Sequence, residues 1–170
     1  KVEKIITDNK LKVEVANDNS PMQVVISGIK EDLLKAENVI MKNGAKKFVH
    51  LNVSSAFHSK LMKNAEEKMK SLLNKVNFQN PSYYIISNFS AKETKDSKII
   101  YSNLSKQMSN KVRWVESIEC LENLNESEII EIGPGNVLSG LIRRISNKFT
   151  LFNINSVEDL YNFVKEVKNE

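Results

Sequence analysis

Chemistry near neutral pH usually needs an imidazole, a thiol or an activated hydroxyl, and this sequence holds few of the first two: His50, His58 and Cys120. His58 stands in the run Ser54-Ser55-Ala56-Phe57-His58-Ser59, between a strand-like stretch and a helix-like one. Loops of that kind are where α/β folds place functional side chains. A neutral imidazole there can take a proton from a hydroxyl or a thiol. The other reading is a surface or helix-capping residue. His50, between Val49 and Leu51, reads as a sheet-face residue. The two histidines have no carboxylate nearby at ligand spacing, so no metal site is expected. Cys120 alone can form neither an internal disulfide nor a cysteine metal cage, which points to a reducing compartment.

Several familiar site motifs are missing from the sequence. There is no G-x-x-x-x-G-K-[ST] phosphate loop, no G-x-G-x-x-G and no H-E-x-x-H. No G-x-S-x-G nucleophile elbow occurs either; Ser139-Gly140 follows Leu138 and falls inside a helical pattern. The turn Gly133-Pro134-Gly135 either brings backbone close to a ligand or only reverses the chain.

The elements that must position these residues alternate in type. Residues 2–6 read as the middle of a helix, 12–16 and 24–26 as strands around a polar turn at Asn17-Asp18-Asn19-Ser20-Pro21. Lys30 to Lys42 reads as a helix ended by Asn43-Gly44. Lys47 to Val53 alternates Phe48, Leu51 and Val53 with polar residues and is expected to be a third strand. That order is most of a ferredoxin-like unit lacking its first strand. Beyond the His58 loop, Leu61, Ala65, Met69, Leu72 and Val76 fall at helical spacing. Tyr83 to Ile86 is expected as a short strand buried on both faces. Helices follow at 99–108 and 112–124, then a strand at 129–132, a helix through Val137 to Ile145 and a strand at 149–154. Ser156-Val157-Glu158-Asp159 resembles a capping box opening a last helix with Leu160, Phe163, Val164 and Val167 on one face. Strands alternating with helices argue for a parallel α/β layer.

The chain is 170 residues, enough for one ordinary domain, with 41% hydrophobic and 27% charged residues, which excludes a disordered tail. Its apolar runs are too short to span a bilayer, so no membrane is expected as partner. The net charge of +4 comes almost entirely from scattered lysines interleaved with glutamates, as at Lys63 to Lys70 around Glu66 and Glu67, which reads as a solvated face. Bidentate readout of phosphate or guanine favours Arg, and only three are present, so no nucleic-acid partner is expected. Lys1 is not Met and no charged-then-apolar leader follows it, so no signal peptide is expected and the chain reads as beginning inside a larger protein.

Four segments taken together say more than any one of them. They are residues 19–28 (NSPMQVVISG), 55–62 (SAFHSKLM), 112–118 (VRWVESI) and 131–142 (EIGPGNVLSGLI). In that order they closely resemble malonyl-CoA:acyl carrier protein transacylases and, more distantly, the acyltransferase domains of polyketide and fatty acid synthases. Only the second half of that family is matched.

The resemblance implies an α/β fold: part of a ferredoxin-like small subdomain at 1–53, then the C-terminal part of a hydrolase-like α/β core at 54–170. It also implies acyl transfer of malonyl from CoA to the phosphopantetheine thiol of acyl carrier protein, in fatty acid biosynthesis, in the cytoplasm or in an organelle of bacterial origin. Malonyl-CoA is then the substrate and acyl carrier protein the partner, with no tightly bound cofactor. His58 maps onto the family's general base, toward both a nucleophilic Ser and the incoming thiol. A backbone carbonyl orients that imidazole in the family, and the matching position is near Gln107. Phe57, before the histidine, tracks with malonyl as the acyl group, where Ser tracks with methylmalonyl. Asn19 would lie on the cleft-facing loop of the small subdomain. Lys46, Lys47, Lys60 or Arg143 could form a cationic rim for CoA or an acidic carrier protein, or a solvated face. The family's nucleophilic Ser, its malonyl-binding Arg and its G-Q-G-[SA]-Q segment have no counterpart in these residues, so the chain alone is expected to be inactive. The alternatives are a fragment of a polyketide-type acyltransferase and a non-catalytic module that binds a carrier protein.

Overall fold

The computed structural model describes residues 1–168, with seven helices and six strands among them. Helix α1 (Val2–Asp8) leads into strand β1 (Glu14–Ser20), which pairs antiparallel with β2 (Gln23–Ser27). Helix α2 (Lys30–Lys42) then lays Ala36 and Ile40 against Val13, with Ile5, Ile6, Ile26, Leu33 and Phe48 packed around them. This small core draws only on the first third of the chain. Gly28 closes β2 because a Cβ there would meet Val13 Cγ1 at 2.9 Å and the Lys12 carbonyl at 3.3 Å.

β1 runs through the residues expected as a polar turn. Asn17, Asp18 and Ser20 pair with Val25, Val24 and Gln23 across two irregular steps, and the reversal is left to Pro21-Met22. The far side of β1 explains the extension. Val112 donates its N–H to Ala16 O at 2.8 Å and accepts from Asp18 N–H at 2.9 Å. A polar sequence held on both edges stays extended.

Two expected strands fail for one reason. Residues 47–53 keep their alternation but form no strand, and Val49, Leu51 and Val53 are 57%, 57% and 62% exposed. Tyr83 to Ile86 is reduced to β3 (Ile85–Ile86), paired antiparallel with β4 (Glu93–Thr94), and Tyr83 and Tyr84 lie open. A strand needs a neighbour for its N–H and C=O groups. Among the described residues nothing supplies one.

The second part is helix-rich. A 3-10 turn at Lys60–Met62 opens α3 (Lys63–Leu73); α4 (Ser97–Lys106) ends in a second 3-10 turn, Gln107–Ser109, before α5 (Trp114–Asn123). Helix α3 buries Glu66 and Leu73, while Leu61 and Leu72 of the expected apolar face are each 58% exposed. The helix is there, but turned: α4 and the second 3-10 turn pack on its Glu66 side.

Strand β5 (Glu128–Ile132), helix α6 (Val137–Ile145) and strand β6 (Thr150–Ile154) form a parallel βαβ unit, β5 pairing with β6 from Glu128–Thr150 to Ile132–Ile154. Ile142 and Leu141 of α6 and Ile118 of α5 are buried here. Helix α7 (Val157–Lys168) is opened by a reciprocal box: Asp159 N–H donates to Ser156 Oγ at 3.1 Å, and Ser156 N–H to Asp159 Oδ2 at 3.0 Å. The side chain of Val167, placed on its apolar face, lies outside the described residues.

Candidate functional site around His58

The loop before α3 is fixed residue by residue. Ser27 Oγ donates to the Phe57 carbonyl at 2.7 Å, and Ser59, almost wholly buried, donates from Oγ to the Ala56 carbonyl at 2.6 Å. Lys60 N–H donates to Glu14 Oε2 at 3.2 Å. Between these ties His58 adopts φ +59°, a left-handed conformation that a non-glycine residue keeps only when its surroundings impose it. The imposing contacts come from the 3-10 turn 107–109. His58 N–H donates to Met108 O at 3.1 Å, and His58 Nδ1 lies 3.0 Å from Gln107 O.

A carbonyl oxygen only accepts, so Nδ1 carries the proton of that bond. In the neutral ring the lone pair then sits on Nε2. The arrangement is an imidazole with one nitrogen anchored to backbone and the other available as a base, without a carboxylate behind it.

The structure therefore brings His58 and Gln107 together, through the Gln107 main chain. Gln107 Nε2 is buried without an acceptor among the described residues. Phe57 is adjacent and exposed. Asn19 is in strand β1, not on a loop, and among the described residues makes no side-chain hydrogen bond to the His58 segment. Of the basic residues proposed as a rim, Lys60 lies 3.8 Å from Glu14 Oε1. His50 is not on a sheet face: its Nε2 lies 2.8 Å from Glu37 Oε2 on α2 and its ring packs on Phe48.

Sequence reasoning missed the residue behind the 107–109 turn. Glu66 is only 2% exposed, and its Oε2 accepts both the Ser109 N–H, at 3.1 Å, and the Ser109 hydroxyl. Its other oxygen accepts from Lys63 Nζ. Burial pushes the Glu66 carboxyl up, but the bonds from Lys63 and from the Ser109 side chain and backbone outweigh it and hold it below the usual carboxylate value. The signal in the sequence was only a Glu one position off the apolar stripe.

Two other features are structural. Cys120 donates from Sγ to Glu93 Oε2 at 3.1 Å, and burial together with Glu93 pushes its thiol pKa up, the opposite of an activated nucleophile. After β5, the turn at Gly133 (φ +136°) and Gly135 (φ +91°) delivers the chain to α6, whose first amides are already taken. Leu138 N–H and Ser139 N–H donate to Glu131 at 3.0 and 2.7 Å, so a carboxylate of the chain itself sits at the helix end. An open depression of about 450 Å³ lined by Ser90, Arg113, Glu116 and Cys120 lies apart from His58. Among the described residues no group of three or more His, Cys, Asp or Glu could hold a metal, and no helix is long and apolar enough to cross a membrane.

No family model matches the chain. It is 37% identical over 154 residues to a malonyl CoA-acyl carrier protein transacylase of Staphylococcus aureus (strain MSSA476), covering 91% of this chain and 50% of that protein. It is 42% identical over 137 residues to the polyketide biosynthesis protein PksE of Bacillus subtilis (strain 168), covering 80% of this chain and 18% of that protein. A solved malonyl-transacylase, in complex with its type II PKS acyl-carrier protein, superposes with a TM-score of 0.90 at 32% identity, over 97% of this chain and 54% of that one. The chain thus spans about half the length of the transacylases it matches. The fold they share is a hydrolase-like α/β core with a ferredoxin-like subdomain.

Proposed function

We propose, for a chain whose sequence and fold are those of malonyl-CoA:acyl carrier protein transacylases over a C-terminal portion of that family, that it supplies the general base of such an enzyme. The observation that carries the reading is the His58 Nδ1 to Gln107 O bond at 3.0 Å, which fixes the ring and leaves Nε2 to act. As a Ser hydroxyl attacks the malonyl thioester carbonyl, Nε2 takes its proton. The CoA sulfur leaves and recovers that proton, and the acyl group rests on the Ser oxygen. The phosphopantetheine thiol of a carrier protein then gives its proton to Nε2 and attacks the ester, and the Ser oxygen regains the proton. Gln107 stabilises the imidazolium through its carbonyl at each passage.

The sequence holds no nucleophile elbow, so the Ser comes from outside these residues. We expect the 170-residue chain by itself to transfer no malonyl. Residues 1–53 serve as the small subdomain and 54–170 as the core portion; the confinement of the first hydrophobic cluster to residues 2–48 supports that division. The partner is an acyl carrier protein and the place is cytoplasmic fatty acid synthesis. PksE favours one second reading, a polyketide-type acyltransferase with the same chemistry.

The test is substitution in the complete protein. His58→Asn keeps the left-handed backbone and removes the base, and should lower malonyl transfer by roughly 10²–10⁴-fold. His50→Ala, at the Glu37 contact, should change it little. Equal losses from both would overturn the assignment.

A further inference from the structure

We infer that Glu66 is a positioning residue for His58, acting through Ser109 and the 107–109 turn; this rests on the reading of His58 as the base. The chain of contacts is short. Glu66 Oε2 holds the Ser109 N–H and hydroxyl; Ser109 ends the 3-10 turn; and that turn presents the Gln107 and Met108 carbonyls to His58 Nδ1 and N–H. Helix α3 thus sets the imidazole twice. Its start carries the loop that holds His58, and its first turn carries the carboxylate that pins the acceptors of the ring.

The chemistry at Glu66 supports a clamp over a simple ion pair. A carboxylate as deeply buried as this one is costly unless its lone pairs are taken. Here one oxygen is given wholly to Ser109, and only the other faces Lys63, whose side chain reaches solvent. A glutamate needed only to pair with Lys63 could lie on the solvent side of α3, as Glu67 does.

The division of labour between the two oxygens gives a discriminating experiment. In Glu66→Gln the amide oxygen can still accept both bonds from Ser109, while the pair with Lys63 is lost. Glu66→Ala removes both. The variants are made in the complete protein with ¹⁵N-labelled histidine, the His58 signals being assigned by their loss in His58→Asn. Two readouts are taken: the tautomer of His58 from its ring ¹⁵N shifts, and kcat and KM for malonyl transfer.

The clamp predicts a single Nδ1–H tautomer in the parent and in Glu66→Gln. In Glu66→Ala it predicts a mixed tautomer and a kcat lower by about 10–100-fold, the order expected for a displaced catalytic group, with KM little changed. If Glu66→Ala does not fold, Ser109→Ala removes only the hydroxyl bond and should move the tautomer in the same direction. A Glu66→Ala protein that folds and keeps the pure tautomer overturns the inference, as does a Glu66→Gln protein as impaired as Glu66→Ala. A tautomer that shifts while His58→Asn still transfers malonyl leaves the clamp standing and removes the functional reading instead.

Discussion

Replacing Glu131 with Ala should destabilise the protein by about 2–4 kcal/mol, because this carboxylate joins β5 to α6 and to β6 at once. It accepts from Leu138 N–H at 3.0 Å, Ser139 N–H at 2.7 Å, Ser139 Oγ at 2.6 Å and Asn153 Nδ2 at 3.0 Å. In the Ala variant Leu138 N–H reaches water, and Asn153 still donates to Ser139 Oγ at 2.9 Å. The N–H of Ser139, a residue 1% exposed, is left with no acceptor. A buried orphan donor costs about 1–3 kcal/mol and a lost helix cap about 0.5–2 kcal/mol; the middle of their combined span is the value expected here. Urea unfolding followed through Trp114, the single tryptophan, reads it directly. With an m-value of about 2 kcal/mol/M the midpoint drops by about 1–2 M. Glu131→Gln should lose less, since one oxygen serves Ser139 and Asn153. Glu128→Ala, on the exposed start of β5, should stay within about 0.5 kcal/mol of the parent. Acid adds a second check. Burial raises the Glu131 carboxyl, but its hydrogen bonds outweigh this and hold it below the usual carboxylate value. Its contribution is therefore complete above that value and is lost as pH falls through the lower folded one. The gap between parent and Glu131→Ala should narrow in that window, by the part that depends on the charge. A gap below about 0.5 kcal/mol at neutral pH, or one that does not shrink in acid, refutes the account.

Three further outcomes follow from other contacts. Gly28→Ala should cost about 1–3 kcal/mol in the same unfolding assay, because the added Cβ meets Val13 and the Lys12 carbonyl. Phe57→Ser should weaken a preference for malonyl-CoA over methylmalonyl-CoA in the complete enzyme by about 10–200-fold in the ratio of kcat/KM, the range for one methyl group in a binding pocket. An unmoved ratio would make Phe57 ordinary loop packing. His50→Ala should break the contact with Glu37 at a cost under about 1 kcal/mol, as for exposed pairs, and leave transfer unchanged.

What the sequence disclosed depended on where the decisive partner lay. Helix α2 matches its expected bounds because apolar spacing and the Asn43-Gly44 ending are local. The same holds for the Ser156–Asp159 box. The parallel pairing of β5 and β6 followed from a helix of the right length between two apolar strands. Residues 47–53 and 83–84 misled because alternation or apolarity says that a segment is built to be covered, not that a strand lies beside it. Asn17 to Ser20 misled in the other direction, their polar composition hiding a strand held from both edges. At the site, the meeting of His58 and Gln107 came only from the family resemblance, since nothing local joins positions 49 residues apart. Glu66 was invisible: its burial is decided by which neighbours α3 meets, and its own helix gave it the look of a solvated charge.

The left-handed backbone at His58 also constrains how this domain can change over evolutionary time. Asn, Asp and Gly tolerate that conformation, whereas Val, Ile and Thr pay a steric penalty there. If the proposed role of His58 as a base were no longer needed, position 58 would drift toward Asn, Asp or Gly while the ties from Ser27, Ser59 and Met108 persisted. Such a lineage would keep the shape of the loop without its imidazole, and a single-base change from Asn or Asp could restore the histidine.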